Sequence, residues 1–504
     1  MDLATTLRWT AERHPHRTAV SGDGRTLTYA AWSDRVNRLA LALEAAGAAR
    51  GSRVGLSMTG GEPLASLVLA AQTLGAVPVP LSTRFGVDEL AYCLGDSDAA
   101  LVVTDDAQAS RTTAAAGEVP VRTAADLDAA TTPQPDGPAG PAPSELDTAV
   151  VLYTSGTTGR PKGVPRTHRA ERAAAVAHAV QTRQAQGERT LGVMPLFHTM
   201  GLRTLACSIV VGGTWVAQQA FDAAEAIDLV TRERVTSLYL VPTMFWSLLR
   251  AGGLDRARDL RNLAYAGAAM TPSLAEELAA VVAPGSFVNH FGSTEVYTFT
   301  VHPDAAAKPG CAGRAGIFSR VRLVAPEPGA PPDATVAPGE QGQVIASLES
   351  PEAFAGYWQR PDADAKAIRD GWYYTGDLAV ADDDGDLWVS GRVDDMINSG
   401  GENVYPDEIE AALARCPEID DVCVAGLPDE RWGQAVTAFV VPVAGADPRV
   451  AAEKAMAFAR ETLPSLKRPK RVVALDAVPR SGVGKTLRRV LVAGDYEARG
   501  EVRG

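Results

Sequence analysis

Several kinds of protein are argued against by what this chain lacks. Its five cysteines, Cys93, Cys207, Cys311, Cys416 and Cys423, are scattered and form no C-x-x-C pair. That argues against a disulfide framework or a paired-cysteine zinc site and fits reduced thiols in a cytoplasmic protein. The net charge is −13 and the sequence pI is near 5.2. There is thus no excess of cations to favour nucleic acid or an anionic membrane as partner. No basic stretch leads into an apolar core at the start, where Asp2, Glu12 and Arg13 appear early, so no signal peptide is expected. The longest apolar runs, such as residues 64–74, fall short of a bilayer span and contain Ser66, Gln72 and Thr73. A soluble chain is expected. The P-loop pattern G-x-x-x-x-G-K-[ST] is also missing. Gly484-Lys485-Thr486 supplies its end, but Pro479 stands where its first glycine is needed.

What remains is ordinary globular composition, with 46% hydrophobic and 22% charged residues over 504 positions. That length suggests more than one domain. Residues 1–125 alternate helical and extended patterns. Trp32, Val36, Leu39 and Leu43 recur at helical spacing over 29–46, strands are expected at 53–58, 76–81 and 101–104, and a helix at 63–74. Such alternation predicts a doubly wound α/β domain. Residues 131–144, rich in Pro, Ala and Gly, read as a surface excursion. An Ala-rich helix is expected at 168–181, then an apolar strand over 192–198 ending in His198. Further strands are expected at 237–243 and 263–270, each ending in a short polar turn, and the motif stretch 288–295 follows them. Past residue 313 the pattern turns β-rich, and beyond Pro406 a small α+β module follows, with a helix at 406–415 and strands at 422–426 and 435–443.

The stretch of greatest chemical interest follows the apolar run 149–152. Thr154, Ser155, Gly156, Thr157, Thr158 and Gly159 are an unbroken block of Gly, Ser and Thr, closed by Arg160-Pro161-Lys162-Gly163. Such a loop offers backbone N–H groups, hydroxyls and two cations to phosphate oxygens. A surface turn needs far less specification than this.

The loop resembles the nucleotide loop of the adenylate-forming enzymes: acyl- and aryl-CoA ligases, luciferases and the adenylation domains of peptide synthetases. The resemblance extends over essentially the whole chain, with the motifs in the family's order. Asp429-Glu430-Arg431-Trp432-Gly433-Gln434 followed by the basic stretch 466–471 looks most like the 4-chlorobenzoate-CoA ligase branch. The resemblance implies a large adenylating domain at 1–393, built of doubly wound sheets plus a β-rich subdomain. It also implies a small mobile α+β domain at 394–504, hinged at Asp394.

ATP, Mg²⁺ and CoA are the implied cofactors, and a small carboxylic acid the implied substrate. By the same resemblance, the Thr154–Gly159 block and Lys162 meet the phosphates. Phe291 stacks on adenine, keeping the face of the family's usual Tyr but not its hydroxyl, and Gly292 follows it. Thr294 meets phosphate, and Glu295 binds Mg²⁺, which takes hard oxygen ligands. Asp377 takes the ribose hydroxyls, Arg392 ribose or phosphate, and Asn403 belongs to the nucleotide site. Lys485 serves adenylation with Glu295 and Thr154. His198 gates an acyl pocket walled by Ala177, Gly267, Ala268 and Met270, with Arg203 set either at the far end of the acid or toward solvent. Gly400 and Gly401 approach pantetheine, while Trp432, Arg468, Lys470 and Arg471 serve CoA. The small-residue walls (173–179 and 266–269) favour a bulky or ring-bearing acid.

The reaction so implied is acid activation through an acyl-adenylate, then transfer to CoA. Two rivals stand beside it: an adenylase that loads a carrier protein, and a variant keeping only one half-reaction. No nucleic-acid partner and no membrane span are expected, and a homodimer is left open.

Overall fold

The computed structural model describes residues 2–130, 142–154, 160–327, 329–393, 395–399, 402–465, 467–480 and 486–503, with only the backbone at 398, 402 and 403. Its packing forms two compact units: Met1–Val321 with Ala346–Tyr373, and Arg322–Ile345 with Tyr374–Gly504.

The first unit is built on parallel sheets whose strands read as apolar runs, because both faces carry helices. The larger sheet has nine strands. Six of them run parallel, in the spatial order Thr18–Gly22, Thr214–Ala217, Arg189–Gly192, Ser237–Leu240, Asn262–Tyr265 and Ser286–Phe291, with antiparallel strands at its edges. A four-stranded parallel sheet orders Val77–Pro80, Arg53–Ser57, Ala99–Thr104 and Val121–Thr123. The helix expected from Trp32, Val36, Leu39 and Leu43 runs Tyr29–Ala45, and all four side chains are buried. Each buried residue of this size contributes roughly 1.5–3 kcal/mol. Trp32 also donates its indole N–H to Ser66 Oγ at 2.9 Å, so its one polar atom enters the core satisfied.

Several expected strands are shorter than their sequence pattern. The strand predicted over 192–198 ends at Gly192, because Pro195 cannot donate to a ladder and His198 instead begins a helix. The strand expected to 243 stops at Leu240, where Pro242 opens the helix Pro242–Ala251. The strand expected to 270 stops at Tyr265.

In the second unit, Leu387–Arg392 runs antiparallel to the strand Trp372–Ala381 and places Asp377 opposite Arg392. The C-terminal sheet orders Glu402–Val404, Ile397–Ser399, Gly433–Pro442, Arg471–Ala474 and Gly500–Arg503, with Ile419–Asp429 also paired to Gly433–Pro442. Helices Pro406–Leu413 and Pro448–Thr462 supply apolar faces to its core. Packing therefore groups residues 374–393 with the C-terminal module rather than with the expected domain 1–393. The pivot expected at Asp394 lies outside the described residues.

Candidate active site

The larger sheet changes direction at Arg189–Gly192. From this strand the chain adds Thr214–Ala217 on one side, then Ser237–Leu240 and its successors on the other. In parallel α/β sheets such a reversal opens a crevice beyond the carboxyl ends of the strands, and ligands bind there. Residues 193–198 leave from this point into the helix Thr199–Val210. His198 caps that helix, its Nδ1 accepting from the Met200 N–H at 3.3 Å. Gly201 lets the helix start this tightly, since an added Cβ would lie 2.2 Å from the Pro195 carbonyl oxygen. Opposite, Gly267 adopts φ +85°, and its Cβ position lies 3.8 Å from Met200 Sδ. The expected walls at His198 and Gly267 thus converge. Ala268 is exposed and Met270 buried. Ala177 is fully buried with Ala174 and Ala175, while Val176 and Val180 on the same helix, His168–Gln181, face outward.

The stretch expected to cradle phosphate is flanked by two antiparallel strands that form a hairpin. Thr148–Thr154 pairs with Lys162–Thr167 and brings Thr154 opposite Lys162. Ser155, Gly156, Thr157, Thr158 and Gly159 lie outside the described residues. Phe291 ends its strand with its ring edge-on to Phe299, centroids 5.1 Å apart. After Gly292, Ser293 Oγ accepts from the N–H of Glu295 and of Val296, which fixes the turn carrying Thr294 and Glu295.

Tyr357 connects these two segments. Its hydroxyl donates to Glu295 Oε1 at 2.7 Å, and Lys162 Nζ stands 4.1 Å from the centroid of its ring. Burial first, then the charge of Glu295, pushes the Tyr357 phenol well above its ordinary range, so it remains a proton donor. The adjacent Trp358 donates its backbone N–H to the Gly163 carbonyl at 2.8 Å, securing this segment to the hairpin. Sequence reading passed over Tyr357. The available signal was Gly356-Tyr357-Trp358, two aromatics following a glycine.

Behind the turn lies a group of buried charges. Arg166 and Glu171 form an ion pair at 2.7 Å, their side chains 0% and 2% exposed. Arg166 Nη1 also donates to the carbonyls of Thr294 and Glu352, each at 2.9 Å. Arg203 does not face solvent, being 1% exposed. Its Nη1 lies 2.7 Å from His290 Nε2, and its guanidinium carbon lies 3.5 Å from the Tyr297 ring centroid. Nη2 is 3.7 Å from Glu352 Oε2. Burial, assisted by the charge of Arg203, holds His178 and His290 well below the ordinary imidazole range. Both rings are therefore neutral at neutral pH.

In the second unit, Asp377 receives Arg392 Nη1 at 2.8 Å, and Arg392 Nη2 also approaches the Thr375 carbonyl at 3.4 Å. Two cations lie near the Trp432 ring, Arg431 at 4.9 Å and Lys470 at 5.0 Å from its centroid. Burial and the charges of Arg468 and Arg431 lower the Lys470 ammonium below its usual range. Arg468 donates Nε to the Leu463 carbonyl at 2.9 Å. Arg471 is instead committed to Glu501 at 2.7 Å. Asp394, Gly400, Gly401 and Lys485 lie outside the described residues, as does the side chain of Asn403.

Comparison with known proteins agrees with these features. The family model described as AMP-binding enzyme matches residues 7–358, and that of its C-terminal domain matches 408–485. The chain is 38% identical over 484 residues to a feruloyl-CoA synthase of Amycolatopsis sp, covering 95% of this chain and 96% of that one. It is 33% identical over 494 residues to a 4-chlorobenzoate–CoA ligase of Arthrobacter sp, covering 96% and 93%. Among solved structures, o-succinylbenzoate CoA synthetase from Bacillus subtilis, in complex with its acyl-adenylate intermediate, superimposes with a TM-score of 0.86 at 28% identity, covering 96% and 97%.

Proposed function

Since the chain belongs to the AMP-binding family of adenylate-forming enzymes, we propose that its own residues divide between activating an acid and transferring it. The protein is an ATP-dependent, AMP-forming acyl- or aryl-CoA ligase. A carboxylate is a poor acyl donor because oxide would have to leave. Attack of the carboxylate oxygen on the α-phosphate of ATP releases pyrophosphate and gives a mixed anhydride. The CoA sulfur then attacks the acyl carbon, AMP leaves, and the thiol proton is released.

The observation that carries the activating half is the Tyr357 bridge between Lys162 and Glu295. It supports a preorganised pair: a cation at the base of the phosphate hairpin and a carboxylate facing it. Glu295 is the residue that would hold Mg²⁺, whose role when bound is to offset phosphate charge. A buried carboxylate fixed by a phenol fits that preference for hard oxygen. Lys162, the hydroxyls of the hairpin and Lys485 would stabilise charge that develops as pyrophosphate departs. In the second unit, Arg392 would orient the Asp377 carboxylate toward the ribose hydroxyls. Trp432, Lys470 and Arg468 would receive CoA, with Asp394 as the pivot that alternates the two steps. Arg471, held by Glu501, would contribute at most long-range charge.

The acid is ring-bearing in this reading. The small walls at Ala177 and Gly267 support it, as do relatives named for feruloyl and 4-chlorobenzoyl thioesters. Five cysteines with no disulfide support a cytoplasmic setting.

The test is pyrophosphate release across a panel of acids, with and without CoA, combined with detection of the thioester. Ring-bearing acids should exceed acetate and propionate by at least about tenfold in kcat/KM, as roughly 25 cal/mol per Å² of buried apolar surface requires. Thioester should appear only with CoA. Acetate as the best substrate would overturn the acid assignment, and adenylate without any CoA thioester would favour a carrier-protein acceptor.

A further inference from the structure

The helix Val87–Asp96 packs against the four-stranded sheet through Leu90, Cys93 and Leu94. Its last residue, Asp96, stands at the negative end of the helix dipole, where a cation is favoured over an acid. The carboxylate is nonetheless fully engaged, and by phenols. Asp96 Oδ2 accepts from the Tyr153 hydroxyl at 2.6 Å, and Oδ1 accepts from the Tyr92 hydroxyl at 3.2 Å. The Asp96 backbone carbonyl accepts from the Trp358 indole N–H at 2.9 Å. Two further groups reach the same phenols: Ser97 that of Tyr153, and Arg360, itself paired with Asp362, that of Tyr92.

These contacts reach both strands that flank the stretch expected to cradle phosphate. Tyr153 directly precedes Thr154 on one strand and stands opposite Gly163 on the other. Trp358 donates its backbone N–H to the Gly163 carbonyl at 2.8 Å. Gly163 leaves room for both rings, since a Cβ there would lie 3.0 Å from Trp358 Cβ and 3.4 Å from Tyr153 Cζ. Asp96 thus holds the two strands at the level from which Thr154 and Lys162 continue. Arg160, which follows that stretch, lies with its guanidinium carbon 5.0 Å from the Tyr92 ring centroid. Burial, then the bond to Asp96, keeps the Tyr153 phenol well above its ordinary range, so it remains a donor. Hydrogen bonds to a charged acceptor are roughly twice as strong as neutral ones.

We propose that Asp96 is a positioning residue for ATP: through Tyr153 and Trp358 it fixes the spacing of the two strands, and with it the place where Thr154 and Lys162 meet the β- and γ-phosphates. Asp96 itself acts only through these neighbours and not on a reacting atom. The inference rests on the ligase reading above and adds to it the residue that sets the phosphate site.

The experiment measures ATP and AMP binding to the full-length protein by calorimetry, alongside pyrophosphate release across the acid panel. Asp96→Ala should raise the Kd for ATP about tenfold or more, the order expected on losing a hydrogen bond to a charged group. The Kd for AMP, which lacks the two outer phosphates, should change much less, by about threefold at most. Tyr153→Phe deletes only the phenol oxygen and should weaken ATP selectively in the same way. The double variant should bind ATP no worse than Asp96→Ala, because the two residues act through one bond. Asp96→Asn keeps an acceptor and should recover part of the affinity that alanine loses. An unchanged Kd for ATP in both single variants, or losses that simply add in the double variant, would overturn the proposal. Equal weakening of ATP and AMP would also overturn it and leave Asp96 a purely structural residue. Tyr153→Phe decides the matter if Asp96→Ala does not fold. A wild type that binds ATP yet releases no pyrophosphate with any acid would overturn the ligase reading, and the binding comparison would still decide the role of Asp96.

Discussion

Tyr357 is the most informative single residue, because it converts an expected metal ligand into a positioned one. Replacing it by Phe keeps the ring over which Lys162 lies but removes the donor to Glu295. The loss of a hydrogen bond to a charged acceptor, roughly 1.5–3 kcal/mol, should lower adenylation about tenfold or more. It should also raise the Mg²⁺ concentration needed for half-maximal pyrophosphate release. An unchanged Mg²⁺ titration would mean that Glu295 is held by other contacts. This level of detail was only partly legible in the sequence. Phe291, Thr294 and Glu295 announced themselves through a motif of contiguous residues. Tyr357 is 62 positions from Glu295 and meets it only through folding. Arg203 was noticed in sequence, yet its burial could not be read from the residue type, since arginine is rarely fully buried.

At the scale of elements, the helix His168–Gln181 shows how a wall of the site is tied to pH. His168 opens the helix fully buried, its Nδ1 without a hydrogen-bond partner. Burial pushes its pKa down to about 4, outweighing the opposing pull of Asp2 and Asp147. The folded value lies below the unfolded one of about 6.5. Its contribution to stability is therefore complete above about pH 6.5 and is lost as pH falls toward 4. His178, also depressed, acts in the same direction. The thermal midpoint of the wild type should decline across this window, and His168→Gln should reduce that decline. Parallel curves for the two proteins would show that protonation of His168 is not coupled to unfolding. The element itself was legible because its alanines and charges repeat at helical spacing. The strands that ended early were not, since hydrophobic pattern continues through 193–198 while Pro195 and the capping His198 end the ladder.

At the scale of the molecule, the two-step reading makes a prediction about Lys485. It stands in a glycine-rich stretch whose flanks, Arg480 and Thr486, are joined by a β-bridge. Lys485→Ala should reduce acyl-adenylate formation by about 10²-fold or more, the loss expected on removing one preorganised charge-stabilising group. Thioester formation from a supplied adenylate should be largely retained. Equal loss of both steps would remove the case for separate catalytic poses. Overall architecture was legible because alternating patterns extend over hundreds of residues. The grouping of residues 374–393 with the C-terminal module was not, because it depends on packing between segments distant in sequence.

The five cysteines are all buried, and burial raises the thiols of Cys93, Cys207, Cys416 and Cys423 above their ordinary range. Thiolate is the reactive form, so maleimide dyes should leave the native fold largely unlabelled. A cysteine engineered on each unit's exposed surface could then carry a fluorophore pair without first deleting the natural thiols, and distance changes during turnover could be followed one molecule at a time.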